Sequence, residues 1–146
     1  MAVSSKRPPP FCQALIICDL VHSDPGTQKH FLLGTFSAIR ARSFPAVHHR
    51  LGLYCELTNG HGQTHISLKL SRVRAEQIDG EPLGTIEADA DFVDPRQTVT
   101  LAGNITNVTF PEPGEYRLFV EANGLLLSER KLVLMQIEPP PGLRES

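Results

Sequence analysis

The chain has 146 residues and a nearly balanced charge, with 14 Lys and Arg residues against 16 Asp and Glu residues. This length is typical of one domain, and a chain of this size buries enough surface to fold without a metal or a disulfide. The balanced charge argues against a nucleic-acid partner, which needs clustered Lys and Arg. No apolar run approaches the roughly 20 residues that span a bilayer, so we expect no membrane span.

Two proline-rich segments bound the expected domain. Three consecutive prolines occur at 8–10 and again at 139–141, and proline cannot join the ladder of a central strand. We therefore predict disordered tails at residues 1–10 and 138–146 and one folded domain at residues 11–137. The N-terminal segment lacks the small-residue cleavage site of a secretion signal, which favours a cytoplasmic location.

The first predicted strand, at residues 12–21, is apolar on both faces except at Asp19. Such a strand is typical of the middle of a sheet that is covered on both sides. A buried carboxylate must be paired or hydrogen-bonded, because an isolated buried charge is costly. We interpret Asp19 as a structural residue that latches the loop at 23–28, either through Lys29 or through the backbone amides of that loop. The alternative is a catalytic role.

Further along the chain, apolar and polar residues alternate with period two. Leu51 to Leu57, Ile66 to Leu70, Ile86 to Phe92 and Tyr116 to Val120 each predict a strand with one buried face and one wet face. Clusters of Gly, Pro, Asn and Asp separate the runs. We predict strands near 12–21, 30–41, 50–58, 64–73, 84–93, 98–109, 115–122 and 126–137. The expected fold class is all-β, a single antiparallel sandwich of about eight strands.

The last hairpin carries the strongest local signal. Asn123 and Gly124 tolerate the positive φ angles of a type I′ turn. A two-residue turn there would pair Leu118 with Glu129 on the buried face and would put Leu132 out of phase with Leu125. Either the turn is longer than two residues or a bulge near residues 128–130 shifts the register by one, and we expect the bulge.

The three cysteines, Cys12, Cys18 and Cys55, have none of the spacings of a metal pair. Cys18 and Cys55 lie among apolar neighbours, which predicts buried free thiols that act as small hydrophobic residues. A reducing, cytoplasmic compartment suits such thiols. A thiol that faces the core, as we expect for Cys55, is inert as a nucleophile.

The segment from Phe110 to Val120 resembles the start of a late strand in immunoglobulin-like and C2-like sandwiches. In those folds a glycine lets the chain turn, and a tyrosine drops its ring into the core while its hydroxyl bonds to nearby backbone. The resemblance assigns these structural roles to Gly114 and Tyr116. It implies an immunoglobulin-like or C2-like sandwich and carries no activity.

The whole chain also resembles an uncharacterised bacterial family of β-sandwich proteins with a domain of unknown function. The stretches that carry this resemblance are Ala14–Asp19, Phe31–Phe36, Phe44–Val47 and the strand around Tyr116. The resemblance covers residues 12 to 136. It implies a small bacterial β protein and supplies no activity, cofactor or partner.

The acidic residues on and after the fifth predicted strand are the candidate metal ligands. Calcium prefers hard oxygen ligands, and C2-like sandwiches bind it with loop aspartates. Asp89, Asp91 and Asp94 are therefore the candidate ligands, although Asp89 and Asp91 also fit the wet face of a strand, as Glu87 does. His61 and His65 flank a glycine-containing turn, and we interpret them as solvated rather than as zinc ligands.

No catalytic motif is present: the sequence has no nucleophile elbow, no phosphate-binding glycine loop and no His-Glu-x-x-His. We therefore expect a non-catalytic protein-interaction or scaffold module with no cofactor, which binds its partner through end loops or an exposed edge strand. The alternative is a C2-like domain that binds a ligand or lipid with the help of calcium or another metal. A small hydrolase is the third hypothesis.

Overall fold

The computed structural model describes residues 7–138, and the chain folds into ten strands. Seven of the eight predicted strands are present, and the eighth, at 30–41, is divided into two. Most of the predicted tails at 1–10 and 138–146, namely residues 1–6 and 139–146, lies outside the described residues. Pro10, within the predicted N-terminal tail, is buried. The strands are β1 Phe11–Asp24, β2 Lys29–Thr35, β3 Ala38–Ala41, β4 Ala46–Thr58, β5 Gly62–Arg74, β6 Gln77–Ile78, β7 Gly84–Phe92, β8 Val99–Phe110, β9 Gly114–Ala122 and β10 Leu125–Gln136.

The strands form two packed sheets. One has the order β2-β1-β4-β8, and the other has the order β3-β10-β9-β5, with β6 and β7 both pairing with the far side of β5. Within residues 7–138 there is no helix with the length and apolarity needed to cross a membrane. The core lies between the sheets, and its largest fully buried side chains are Ile17, Leu51, Leu53, Leu57, Ile66, Leu68, Leu70, Phe110, Tyr116, Leu118, Leu132 and Leu134.

The predicted single strand at 30–41 is wrong, because the chain leaves one sheet and joins the other within it. Gly34 adopts a φ of +72°, and the ladder stops at Thr35. β2 then belongs to the first sheet, while β3 pairs in parallel with β10 in the second. Within residues 7–138 the sandwich therefore has ten strands rather than about eight, and its pairing is mixed rather than purely antiparallel.

The hairpin of β1 and β2 folds over the outer face of the first sheet. Val21 packs on Gly52 of β4, where an added Cβ would lie 3.0 Å from both the backbone nitrogen and a methyl group of Val21. The side-chain amide of Asn104 on β8 accepts from the Val21 N–H and donates to the Val21 carbonyl, each at 2.9 Å. The ring of His30 meets that of Tyr54 at 5.7 Å. A second small apolar cluster fills the space beneath this hairpin.

Asp19 is not buried, so the predicted latch is wrong. Its side chain is 61% exposed, and its carboxylate lies 3.8 Å from the imidazole Nε2 of His48. Asp24 holds the loop instead, since its carboxylate accepts from the backbone N–H of Gly26 at 3.1 Å and from the hydroxyl of Thr27 at 2.8 Å. The apolar pattern of β1 arises because the β1–β2 hairpin covers the outer face of the strand. Asp19 lies outside this covered region and is exposed to solvent.

Tyr116 occupies the position that the late-strand resemblance implies. Its ring is fully buried and meets Phe110 edge-to-face at 5.0 Å between centroids. Its hydroxyl donates to the Glu112 carbonyl at 2.7 Å. Gly114 begins β9 with a φ of +141°, a conformation that side chains disfavour. The tyrosine therefore closes the turn between β8 and β9 from inside the core.

The last hairpin has the predicted turn and the predicted shift. Asn123 and Gly124 have φ angles of 50° and 82°, which fits a type I′ turn. The register shifts between Leu126 and Ser128, slightly earlier than expected. Asn123 also fastens the turn to β5, because its backbone N–H donates to the His65 carbonyl and its side-chain oxygen accepts from the His65 N–H, each at 2.8 Å.

We expect Tyr116→Ala to lower the free energy of unfolding by about 3–5 kcal/mol, as truncation of a buried aromatic ring does. Tyr116→Phe keeps the ring and removes only the hydroxyl, so its loss should be about 1–3 kcal/mol. Urea denaturation followed by circular dichroism measures both. An alanine variant as stable as the parent would contradict the described packing of this turn.

Candidate functional site

The three cysteines are buried or partly buried free thiols. Cys18 and Cys55 are buried, Cys12 is partly buried, and none forms a disulfide. Burial raises the pKa of the Cys55 thiol to about 12 and raises the pKa of Cys12 and Cys18 as well. Since the thiolate is the reactive form, these positions do not present an activated nucleophile.

The candidate acids lie along one edge strand but do not converge on a common point. Asp89 and Asp91 occupy the outer face of β7, together with Glu87, and all three are exposed. Asp94 follows the strand, and its carboxylate accepts from the guanidinium of Arg96 at 2.8 Å. Within residues 7–138, no group of three or more His, Cys, Asp or Glu side chains is arranged to hold a metal ion.

His65 bridges two of these acids, which sequence reasoning missed. It lies in β5 directly opposite Asp89, with Nδ1 2.8 Å from the Asp89 carboxylate and Nε2 2.7 Å from that of Glu87. A neutral imidazole has only one N–H, so only the charged form donates to both acids. The hydrogen bonds to Asp89 and then Glu87 accordingly raise the pKa of His65. The sequence does not show that β5 pairs with β7, and without that pairing the contacts of His65 could not be predicted.

The β7 strand differs from the other sheet edges in its regularity. It pairs with β5 from Gly84 to Phe92 without a register shift, and it contains no proline and no positive φ angle. Its inward side chains are Ile86, Ala88, Ala90 and the buried Phe92, so no charge points into the sandwich. Regular edges of this kind can accept a further strand.

The other edges carry features that interrupt pairing. β3 has four residues and β6 has two, while β2 contains the positive φ of Gly34. In β10 the bulge puts Arg130 opposite the buried Leu118, and an inward charge protects an edge from pairing. Asn107 interrupts β8 with a φ of 55°, and the β1–β2 hairpin overlies this strand at Asn104.

β7 and β8 lie side by side because two glycines admit two isoleucines. A Cβ at Gly84 would lie 2.6 Å from the Ile105 side chain, and a Cβ at Gly103 would lie 3.1 Å from the Ile86 side chain. Ile86 therefore packs on Gly103 and Ile105 packs on Gly84, each on the opposite sheet, and these contacts close the sandwich at this side. The edge of β7 is thus supported from within the core.

The end loops enclose a cleft of about 470 Å³. Pro8–Pro10, the β4–β5 turn around His61 and the Asn123 turn line it. Arg7 reaches Gly62 in this cleft, because a Cβ there would lie 3.0 Å from its guanidinium. The end loops therefore form a surface cleft that is lined by both polar and apolar groups.

The thiol assignment predicts slow modification of the folded protein. A maleimide reagent at about pH 7 should leave Cys18 and Cys55 unmodified, because both are buried and only a thiolate reacts. In urea all three cysteines should react within the labelling time that leaves Cys18 and Cys55 of the folded protein unmodified. Mass spectrometry of peptides identifies the sites, and rapid labelling of Cys55 in the folded protein would support the hydrolase hypothesis instead.

The His65 bridge predicts a pH-dependent stability. The pKa in the folded state is above its usual value of about 6.5, so the contribution of His65 is fully present below that value and is lost as the pH rises through the raised pKa. The difference in unfolding free energy between the parent and His65→Gln should therefore shrink from about pH 5.5 to about pH 9. His61→Gln, in the adjacent turn, is the control, and a difference that grows with pH would contradict the bridge.

Comparison with known proteins gives a family and a fold. A model described as a family of unknown function (DUF6941) matches residues 13–135. No curated protein matches the sequence. Among solved structures, the Pseudomonas fluorescens alkylpurine DNA glycosylase AlkC, bound to DNA containing an abasic site analogue, aligns with a TM-score of 0.52 and 11% identity, over 86% of this chain and 30% of that chain.

Two β-glucosidases align more loosely. The Kluyveromyces marxianus enzyme in complex with glucose has a TM-score of 0.44 and 12% identity, over 75% of this chain and 16% of that chain. The Listeria innocua enzyme in complex with isofagomine has a TM-score of 0.43 and 10% identity, over 89% of this chain and 17% of that chain. The chain spans 30% or less of these solved structures, and the AlkC likeness concerns the fold alone. Since the family model covers most of the sequence, the chain belongs to this family of unknown function.

Proposed function

We propose that this chain is a non-catalytic protein-interaction module that binds an extended segment of a partner protein along the free edge of β7. The observation that carries the proposal is the regular nine-residue edge with no inward charge. An extended peptide can add to such an edge through main-chain hydrogen bonds, with alternate side chains on either face. The bulge and Arg130 in β10 leave that strand unsuited to the same role.

The proposal includes an immunoglobulin-like topology. Three features support it: the buried tyrosine at the start of the strand before the last, the switch between sheets from β2 to β3, and the parallel pairing of β3 with the final strand. The tyrosine corner belongs to immunoglobulin-like folds in particular. In that architecture β7 is an outer strand of the larger sheet, where a partner can approach.

A cytoplasmic, bacterial setting is part of the same proposal. The free thiols support a reducing compartment, and the resemblance to a bacterial family supports the source. We propose a protein partner rather than a nucleic acid, because the net charge is −2 and exposed carboxylates repel phosphates. Asp89 and Asp94 already bond to His65 and Arg96, which leaves the calcium alternative with less support.

The test uses a capped nonapeptide of alternating Thr and Val, titrated into the 15N-labelled protein at millimolar concentration. We expect chemical-shift changes and slower amide exchange along residues 84–92. Shifts confined to the end-loop cleft, or no shifts at all, would refute binding at β7.

Backbone methylation separates strand addition from loose contact. In an added strand, alternate N–H groups of the peptide face the edge and donate to it. We therefore expect different results from two versions of the peptide. Methylation of the nitrogens that face the edge should abolish binding, and methylation of the other alternate nitrogens should preserve it. Equal binding by both versions would contradict strand addition.

A further inference from the structure

We infer that the segment bound by β7 is basic, with Lys or Arg at every second position. This inference rests on the proposed function, since it specifies the partner of the same edge. Glu87, Asp89 and Asp91 follow one another on the outer face of the strand. Their spacing along the strand is about 7 Å, which matches the spacing of every second side chain in an added strand.

The neighbouring cations leave these acids under-compensated. The residues opposite Glu87, Asp89 and Asp91 on β5 are Ser67, His65 and Gln63, so a single imidazole faces three carboxylates. The nearest ammonium group in β5, that of Lys69, bonds to Glu121 on the far side at 3.3 Å.

Among residues 7–138, the Asp91 carboxylate has no hydrogen-bond or ion-pair partner, and the residue is exposed. Its backbone carbonyl accepts from the Val93 N–H at 3.1 Å. Positive side chains on an added strand would lie directly opposite the three acids on the same face, where cross-strand pairs of opposite charge are stabilising.

The same acids select against other occupants of the edge. A second copy of the chain pairing through its own β7 would bring carboxylates opposite carboxylates, and like charges directly across a ladder are destabilising. A strand with acids at alternate positions meets the same repulsion. The charge pattern therefore favours basic partners and disfavours self-association through this edge strand, which would otherwise be prone to pair with other strands.

The experiment compares three capped nonapeptides that alternate with Val and differ only at the three central alternate positions, which are Lys, Thr or Glu. Affinities come from the same NMR titration along residues 84–92. We expect the Lys peptide to bind about tenfold more tightly than the Thr peptide, and the Glu peptide to bind at least about tenfold more weakly. The advantage of the Lys peptide should shrink in roughly 0.5 M NaCl.

A matched pair of variants locates the effect. Asp91→Asn removes a charge without breaking a bond in the described residues, and it should weaken the Lys peptide about threefold while leaving the Thr peptide unchanged. Glu81→Gln removes an exposed charge from the loop before β7 and should change neither affinity. Equal effects of the two variants would overturn the inference.

The outcomes distinguish the inference from the function it rests on. If all three peptides bind along β7 with equal affinity, the basic partner is wrong and the interaction module stands. If no peptide affects β7, both are wrong. If the Lys peptide binds equally well when either set of alternate nitrogens is methylated, its binding is non-specific charge attraction, and strand addition by a basic segment is overturned.

Discussion

The two-sided pairing of β5 is the constraint on which the rest of the structure depends. Leu68 and Leu70 of this strand are fully buried against the opposite sheet. The strand pairs without a shift to β9 on one side and to β7 on the other. Because side chains alternate strictly along a strand, this packing decides the orientation of both neighbours at once. It sends Tyr116 into the core and the β7 acids to the surface.

Much of the fold follows from local pattern. Period-two alternation predicts the strands, and the Asn123–Gly124 turn together with the phase of Leu132 predicts the shift in β10. The pattern fails where packing is not between the two sheets. β1 reads as a central strand because its hairpin covers Cys18 and Tyr54 from outside. The sequence does not show that the covering residues belong to the strand's own hairpin rather than to a separate layer. The prediction that Asp19 is buried is therefore wrong.

The candidate site is only half visible in the sequence. Alternation alone puts Glu87, Asp89 and Asp91 on a wet face. Their neighbour His65 lies far from them along the chain, and its role emerges only when β5 is set beside β7. Whether a strand lies at an edge is a property of the sheet order, which depends on long-range pairing. The structure supplies that order, and with it the difference between an ordinary solvated face and a surface that can accept a partner.

The parallel pairing of β3 with β10 has a consequence for synthesis of the chain. Residues 38–41 leave the ribosome well before residues 133–136, which are their ladder partners. Most of the domain must therefore emerge before this pairing is possible, and a nascent chain released before residue 133 retains an unsatisfied β3. The β3 ladder therefore forms only after β10 has been synthesised.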